Sequence, residues 1–154
     1  MDETVRKTID AFLAQYDTLA IATEHEGQPY VTYTFFVEQP TREHGLTLHA
    51  TFIISSRKLA NLRANPRVGL FIGPHQPKTW LEATAVARVI TDDNEYAAVK
   101  ERLGQKSPVA AAFLARVPTV AVELRLNWLR ITNLEGGQLY TEATFPLEEE
   151  SKQR

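Results

Sequence analysis

Four consecutive residues carry the clearest chemical potential in this chain: Ser55, Ser56, Arg57 and Lys58, at the start of a stretch with helical character. If a helix opens there, unpaired backbone N–H groups, two hydroxyls, a guanidinium and an ammonium converge on one spot. That is the donor set a phosphate monoester requires. Arg57 would supply a bidentate contact and Lys58 a point charge. A plainer reading uses the same residues: serine caps helices wherever they begin, and an Arg-Lys pair in a first turn can simply be solvated. Two cations at the positive end of a helix dipole still call for an anion nearby.

Other signatures are missing. The chain contains no G-x-x-x-x-G-K-[ST], no G-x-G-x-x-G after a strand, no H-E-x-x-H and no G-x-S-x-G. Its four histidines, His25, His44, His49 and His75, are scattered over two turns, a loop and a strand, which does not suggest a metal site. Cysteine is absent, so thiol catalysis, Cys-ligated zinc and iron–sulfur clusters are excluded. No side chain stands out as a catalytic acid or base.

The elements that must position the Ser-Arg-Lys cluster are legible from periodicity. Asp2 can cap a first helix whose Val5, Ile9, Phe12, Leu13 and Tyr16 fall on one face. The period then changes to that of strands. Leu19 to Thr23 and Tyr30 to Val37 flank the turn-like His25-Glu26-Gly27-Gln28 and read as a hairpin. After a loop from Glu38 to Gly45 that includes Pro40, a third strand from Leu46 to Thr51 alternates Leu46, Leu48 and Ala50 against Thr47, His49 and Thr51. The cluster caps a helix through Ala64, which Asn65-Pro66 stops. Val68 to Ile72 makes a fourth strand and Thr79 to Thr91 a fifth. The row Leu81, Ala83, Ala85, Ala87 and Val89 suits a tight barrel interior or a close interface. Asp92 with Glu95 opens a helix ending at Gly104, and Ser107-Pro108 opens another through Arg116. Two strands follow, Thr119 to Leu126 and Trp128 to Thr132.

The chain has 154 residues, and 17 basic against 19 acidic side chains leave a net charge of −2. That length suits one domain, expected over residues 1–140, with 141–154 as an acidic tail containing Glu148, Glu149 and Glu150. Near-neutrality argues against nucleic acid as a partner. The longest apolar run, Val109 to Ala115, is far short of a membrane span. The acidic start Asp2-Glu3 is unlike a signal peptide, which makes the cytoplasm the expected location. The fold class expected is α+β, a small antiparallel barrel with peripheral helices. The second strand is apolar on both faces, with Val31, Tyr33, Phe35 and Val37 on one and Tyr30 and Phe36 on the other. One face therefore needs a helix, a ligand or a second copy of the chain, and a homodimer is expected.

The order of these elements resembles the split-barrel, FMN-binding proteins related to pyridoxamine 5'-phosphate oxidase. Gly27-Gln28-Pro29-Tyr30, Ser56-Arg57-Lys58 and Asn65-Pro66-Arg67-Val68 carry the resemblance, which covers about residues 8 to 134. Gln76-Pro77-Lys78-Thr79 is similar to the short members of that family. The resemblance implies a split antiparallel β-barrel holding FMN, with the phosphate on Ser55, Ser56, Arg57 and Lys58. It implies further cofactor contacts at Thr32 and Tyr33 of the second strand, His49 and Ala50 of the third, and Lys78 and Thr79 of the fifth. Thr32 and Val37 stand where the oxidase has an arginine and a lysine, and His49-Ala50 where it has tyrosine and threonine. The expected function is therefore FMN-dependent redox chemistry on a small molecule other than pyridoxamine phosphate. The alternative is a flavin-free module for haem or another small ligand, with His49 or His75 as axial candidates.

Overall fold

The computed structural model describes residues 1–39, 41–42 and 45–147. Pro40, His44 and Glu148 to Glu150 lie outside the described residues. Eleven elements run along the chain: α1 Glu3–Leu13, β1 Thr18–His25, β2 Gln28–Glu38, β3 Thr47–Ile53, α2 Arg57–Ala64, β4 Arg67–Ile72, β5 Thr79–Val89, α3 Asp93–Lys106, α4 Pro108–Leu114, β6 Thr119–Asn133 and β7 Tyr140–Thr144. Each N-terminus is capped as its sequence demands: Asp2 accepts from Thr4 and Val5, Ser56 from Leu59, Asp92 from Glu95 and Ser107 from Ala110. The β1–β2 hairpin turns on Glu26 and Gly27, both at positive φ (50° and 80°), the backbone that a two-residue turn between twisted strands requires.

The strands order as β3-β2-β1-β4-β5-β6-β7, all antiparallel, and β3 also pairs with β6, so six strands close a barrel that β7 flanks. The fold is thus the expected α+β split antiparallel β-barrel with peripheral helices. Inward residues alternate along each strand. Leu81, Ala83, Ala85 and Ala87 of β5 are all buried in the barrel core, which assigns that small-residue row to the interior. Small side chains there leave room for Phe36 and Phe52 opposite. Among the described residues no helix is long and apolar enough to cross a membrane.

The structure departs from the sequence reading in three places. Trp128 and Leu126 belong to one strand, not two. Asn127 between them is an extra residue facing the Thr84/Ala85 step of β5, a bulge that lets β6 bend from β3 to β7 without breaking. The chain after Tyr140 is not a frayed tail as far as it is described: β7 pairs with β6, and Phe145 is buried in the core. Gly104 does not end its helix. It lies within α3, where a Cβ would stand 3.3 Å from that of Ala111, so its lack of a side chain lets α3 and α4 pack closely.

α3 lies over the outer face of β2, β3 and β6, burying Val99 and Leu103, and polar contacts add to that packing. Arg88 of β5 spans Glu123 of β6 at 3.0 Å and Glu95 of α3 at 2.8 Å. Arg102 of α3 donates to the Glu38 carbonyl at 2.8 Å and approaches His49 Nδ1 at 3.1 Å. Lys106 pairs with Glu38 and donates to the Leu13 carbonyl, tying α3 to β2 and α1. His49 therefore packs beneath a helix. Because Arg102 can only donate, Nδ1 is the acceptor and the imidazole is neutral. Burial first, and then the Arg102 guanidinium, hold its pKa below the ordinary value, against an opposing pull from Glu123 and Glu95.

Two outcomes follow for stability. Gly104→Val should drive a branched side chain into Ala111 and lower stability in urea unfolding by about 1–3 kcal/mol. As pH falls below the ordinary histidine value of 6.5, the unfolded chain takes up a proton that folded His49 refuses. Stability should then decline until the depressed folded value is passed. His49→Gln should flatten that part of the profile relative to wild type, as read by urea titrations between pH 7.5 and 5.

Candidate functional site

The β2–β3 seam is paired over Phe36↔Ala50, Val37↔His49 and Glu38↔Leu48, and then the two strands diverge. Side chains bridge the gap. Thr34 Oγ1 donates to the Thr51 carbonyl at 3.1 Å, and Lys58 Nζ, arriving from the first turn of α2, donates to the Tyr33 carbonyl at 3.0 Å. The divergence opens a cavity of about 290 Å³ lined by Thr18, Thr32, Tyr33, Thr34, Phe35, Thr51, Ile53, Lys58 and Phe113.

Helix α2 sets the lysine's position. Ser56 caps it at the end of the β3–α2 turn, Leu59 and Leu62 bury against the barrel, and Asn61 Nδ2 donates to Thr23 Oγ1 of β1 at 3.1 Å. Lys58 is thereby only 8% exposed, its ammonium 5.0 Å from the centre of the Phe52 ring. Among the described residues it meets no carboxylate. Burial alone lowers its pKa, with no opposing anion. Thr51, 3% exposed, has a buried Oγ1 with no hydrogen-bond partner. The cavity thus holds an ammonium without a counter-charge among the described residues, beside a threonine whose hydroxyl is buried and unpartnered.

The expected site residues divide into groups. Thr32, Tyr33 and Lys58 come together in this cavity. Ser55 is exposed and Ser56 serves as the helix cap. Arg57, which sequence alone makes the stronger contact, turns outward, its guanidinium 5.5 Å from the centre of the Tyr30 ring, so Lys58 holds the inner position. The third-strand pair lies elsewhere: Ala50 is fully buried in the barrel between Phe36 and Val122, and His49 is held under α3. Lys78 and Thr79 line a separate cleft of about 400 Å³ with Phe12, Tyr16 and Glu135. There Lys78 Nζ stands 3.7 Å from Glu135, and Thr79 bonds Asn133 at 3.2 Å. Val37 is buried against Leu103 and Ala110 and does not line the Lys58 cavity.

Sequence reasoning missed six of the lining residues, Thr18, Thr34, Phe35, Thr51, Ile53 and Phe113, of which Thr51 and Phe113 are the most telling. The alternation of β3 already puts Thr51 on the face of His49, but the local pattern carries no mark that α3 covers that face at position 49 while the parting of β2 leaves it open at 51. Phe113, 5.8 Å from Phe35 between ring centres, reaches the cavity through the packing of α4 on β2.

In sequence, no curated protein matches the chain. Solved structures do match in fold. A haem-binding protein from Mycobacterium smegmatis aligns over 94% of this chain and 59% of its own, at 16% identity and a TM-score of 0.69. A Clostridium acetobutylicum protein related to a general stress protein, of the pyridoxinephosphate oxidase family, aligns over 94% and 96% at 15% identity and a TM-score of 0.66. An FAD-binding protein from Mesorhizobium loti aligns over 81% and 90% at 19% identity and a TM-score of 0.61. At these identities the likeness is one of fold. The family model for pyridoxamine 5'-phosphate oxidase, however, matches residues 5–135, nearly the whole barrel with its Ser-Arg-Lys turn, and this chain belongs to that family.

Proposed function

We propose that this chain binds FMN and is an oxidoreductase for a small molecule other than pyridoxamine phosphate. The observation that carries the reading is Lys58: a buried ammonium with no carboxylate, beside an unpartnered Thr51 hydroxyl, in the cavity where β2 leaves β3. Such a charge is costly without an anion, and a phosphate supplies one. Arg57, at the exposed start of α2, adds charge outside the cavity. When bound, FMN supplies the redox chemistry. The chain's own part is to hold the phosphate at Lys58 and Thr51 and to shield the ligand with Phe35, Ile53 and Phe113.

Thr32 brings no cation to this cavity, which speaks against a second anionic group and so against a phosphorylated substrate. The haem alternative is weaker. His49 is engaged beneath α3, and His75 lines no part of the Lys58 cavity.

A homodimer belongs to the same reading. The outer row Val31, Ala22, Gly69 and Thr84, set in register across β2, β1, β4 and β5, consists mostly of small side chains, and Val31 is 67% exposed. Small residues there allow close approach by a second copy of the same row.

Lys58→Met should leave the ligand-free fold as stable or more stable in thermal unfolding, since it removes an uncompensated buried charge. It should also weaken FMN binding by about 10- to 150-fold, the worth of a charge-assisted contact. Arg57→Ala should cost less. Riboflavin should bind more weakly than FMN to the wild type, and equal affinities in fluorescence titration would overturn the phosphate assignment. Sedimentation should show a dimer at micromolar concentration that Val31→Lys shifts toward monomer.

A further inference from the structure

Across Tyr33 from the Lys58 cavity lies a second cleft, of about 270 Å³, on the outer face of the sheet. Its lining includes Thr18, Tyr33, Phe71, Pro74, His75 and Pro77. Thr18 and Tyr33 wall both cavities, so the two adjoin. We propose that this second cleft is the substrate subsite and that it takes a flat, uncharged aromatic molecule. Its role as a substrate site rests on the FMN reading; its ligand chemistry follows from the cleft itself.

The strand register creates the slot. Tyr33 of β2 and Phe71 of β4 both pair with Ala20 of β1, so two aromatic side chains stand on either side of a methyl group. Strands two places apart are separated by about 9–10 Å. Two rings at that spacing leave room for one more between them, since aromatic centroids pack at about 4.5–7 Å. In the single chain both walls are exposed, Tyr33 at 75% and Phe71 at 39%; they stand two residues along the same face from Val31, Ala22 and Gly69, so the slot borders the row against which a second copy packs. Lys58 holds the Tyr33 wall through the Tyr33 carbonyl, and Pro74 and Pro77 restrain the turn that closes the far end.

Charge selects the class. Among the described residues no Lys, Arg, Asp or Glu lines this cleft, and its polar handles include the Thr18 hydroxyl and the exposed His75 imidazole. A charged ligand would lose hydration without gaining a partner, whereas a ring with one N–H or carbonyl group finds stacking on two sides and a hydrogen bond at the rim.

The test uses full-length protein saturated with FMN, with indole as the neutral probe and indole-3-acetate as its anionic counterpart. The His75 imidazole C–H resonances, assigned by their loss in His75→Ala, should shift on indole titration. Indole-3-acetate should bind about tenfold more weakly, as an unpaired charge entails. Phe71→Ala should weaken indole several-fold while FMN affinity stays within about twofold, since Phe71 lies outside the Lys58 cavity. If FMN binds but indole leaves His75 unmoved, or both probes bind alike, the subsite is refuted and the flavin reading stands. If FMN fails to bind while indole still shifts His75 with the expected preference, the cleft chemistry holds and the flavin reading falls.

Discussion

Beyond Phe36 the second strand turns away from the third, and the barrel must satisfy the peptide groups that this parting leaves without ladder partners. Two side chains do so: Thr34 reaches the Thr51 carbonyl and Lys58 reaches that of Tyr33. Buried peptide groups need partners wherever they are placed, and at this opening α2 delivers an ammonium that serves the Tyr33 carbonyl. The rest of the site depends on that arrangement. The cavity is the volume between the strands, its charge is the lysine that bridges them, and its unpartnered hydroxyl is the first threonine past the last paired position.

A charge used in this way has two roles that pull against each other. As a strut, Lys58 gains one hydrogen bond and a place over the Phe52 ring. As a buried cation it loses hydration, and its lowered pKa records the net cost. Arg57, next in the chain, bears no such cost because it lies outside over Tyr30. One residue of offset on a helix, about 100° of rotation, separates a strained interior charge from a solvated one. Of the two cations, the interior one has the most to gain from being neutralised.

On the far side of the barrel, polarity serves docking. α3 buries Val99 and Leu103 there, and Arg102 and Lys106 of α3 together with Arg88 of β5 add contacts that span several elements. His49 is neutral there because it accepts from a guanidinium, and the carboxylates of Glu95 and Glu123 are both taken by Arg88. A histidine on a strand beside two glutamates thus serves in packing. By contrast the outer face of β1, β2 and β4 keeps the Tyr33 and Phe71 side chains exposed.

Much of the fold was written locally. Caps at Asp2, Ser56, Asp92 and Ser107 start four helices, the Glu26-Gly27 turn makes the hairpin, and the alternation of Leu48, Ala50 and Leu81 to Ala87 marks the barrel interior. The Ser-Arg-Lys turn was legible as a cluster of donors for the same reason, since they are neighbours in sequence. What only the tertiary structure decided are relations between segments far apart in the chain. It determined that Lys58 and not Arg57 reaches the cavity, that Thr51 replaces His49 and Ala50 as the third-strand contributor, and that Phe113 closes the wall. It also placed Lys78 and Thr79 in a separate cleft and carried β6 through Asn127 to pair with β7. Periodicity reports which face of an element is apolar. It cannot report which neighbour covers that face at each position, because this follows from where strands part and helices dock, and those are set by contacts summed over the whole chain.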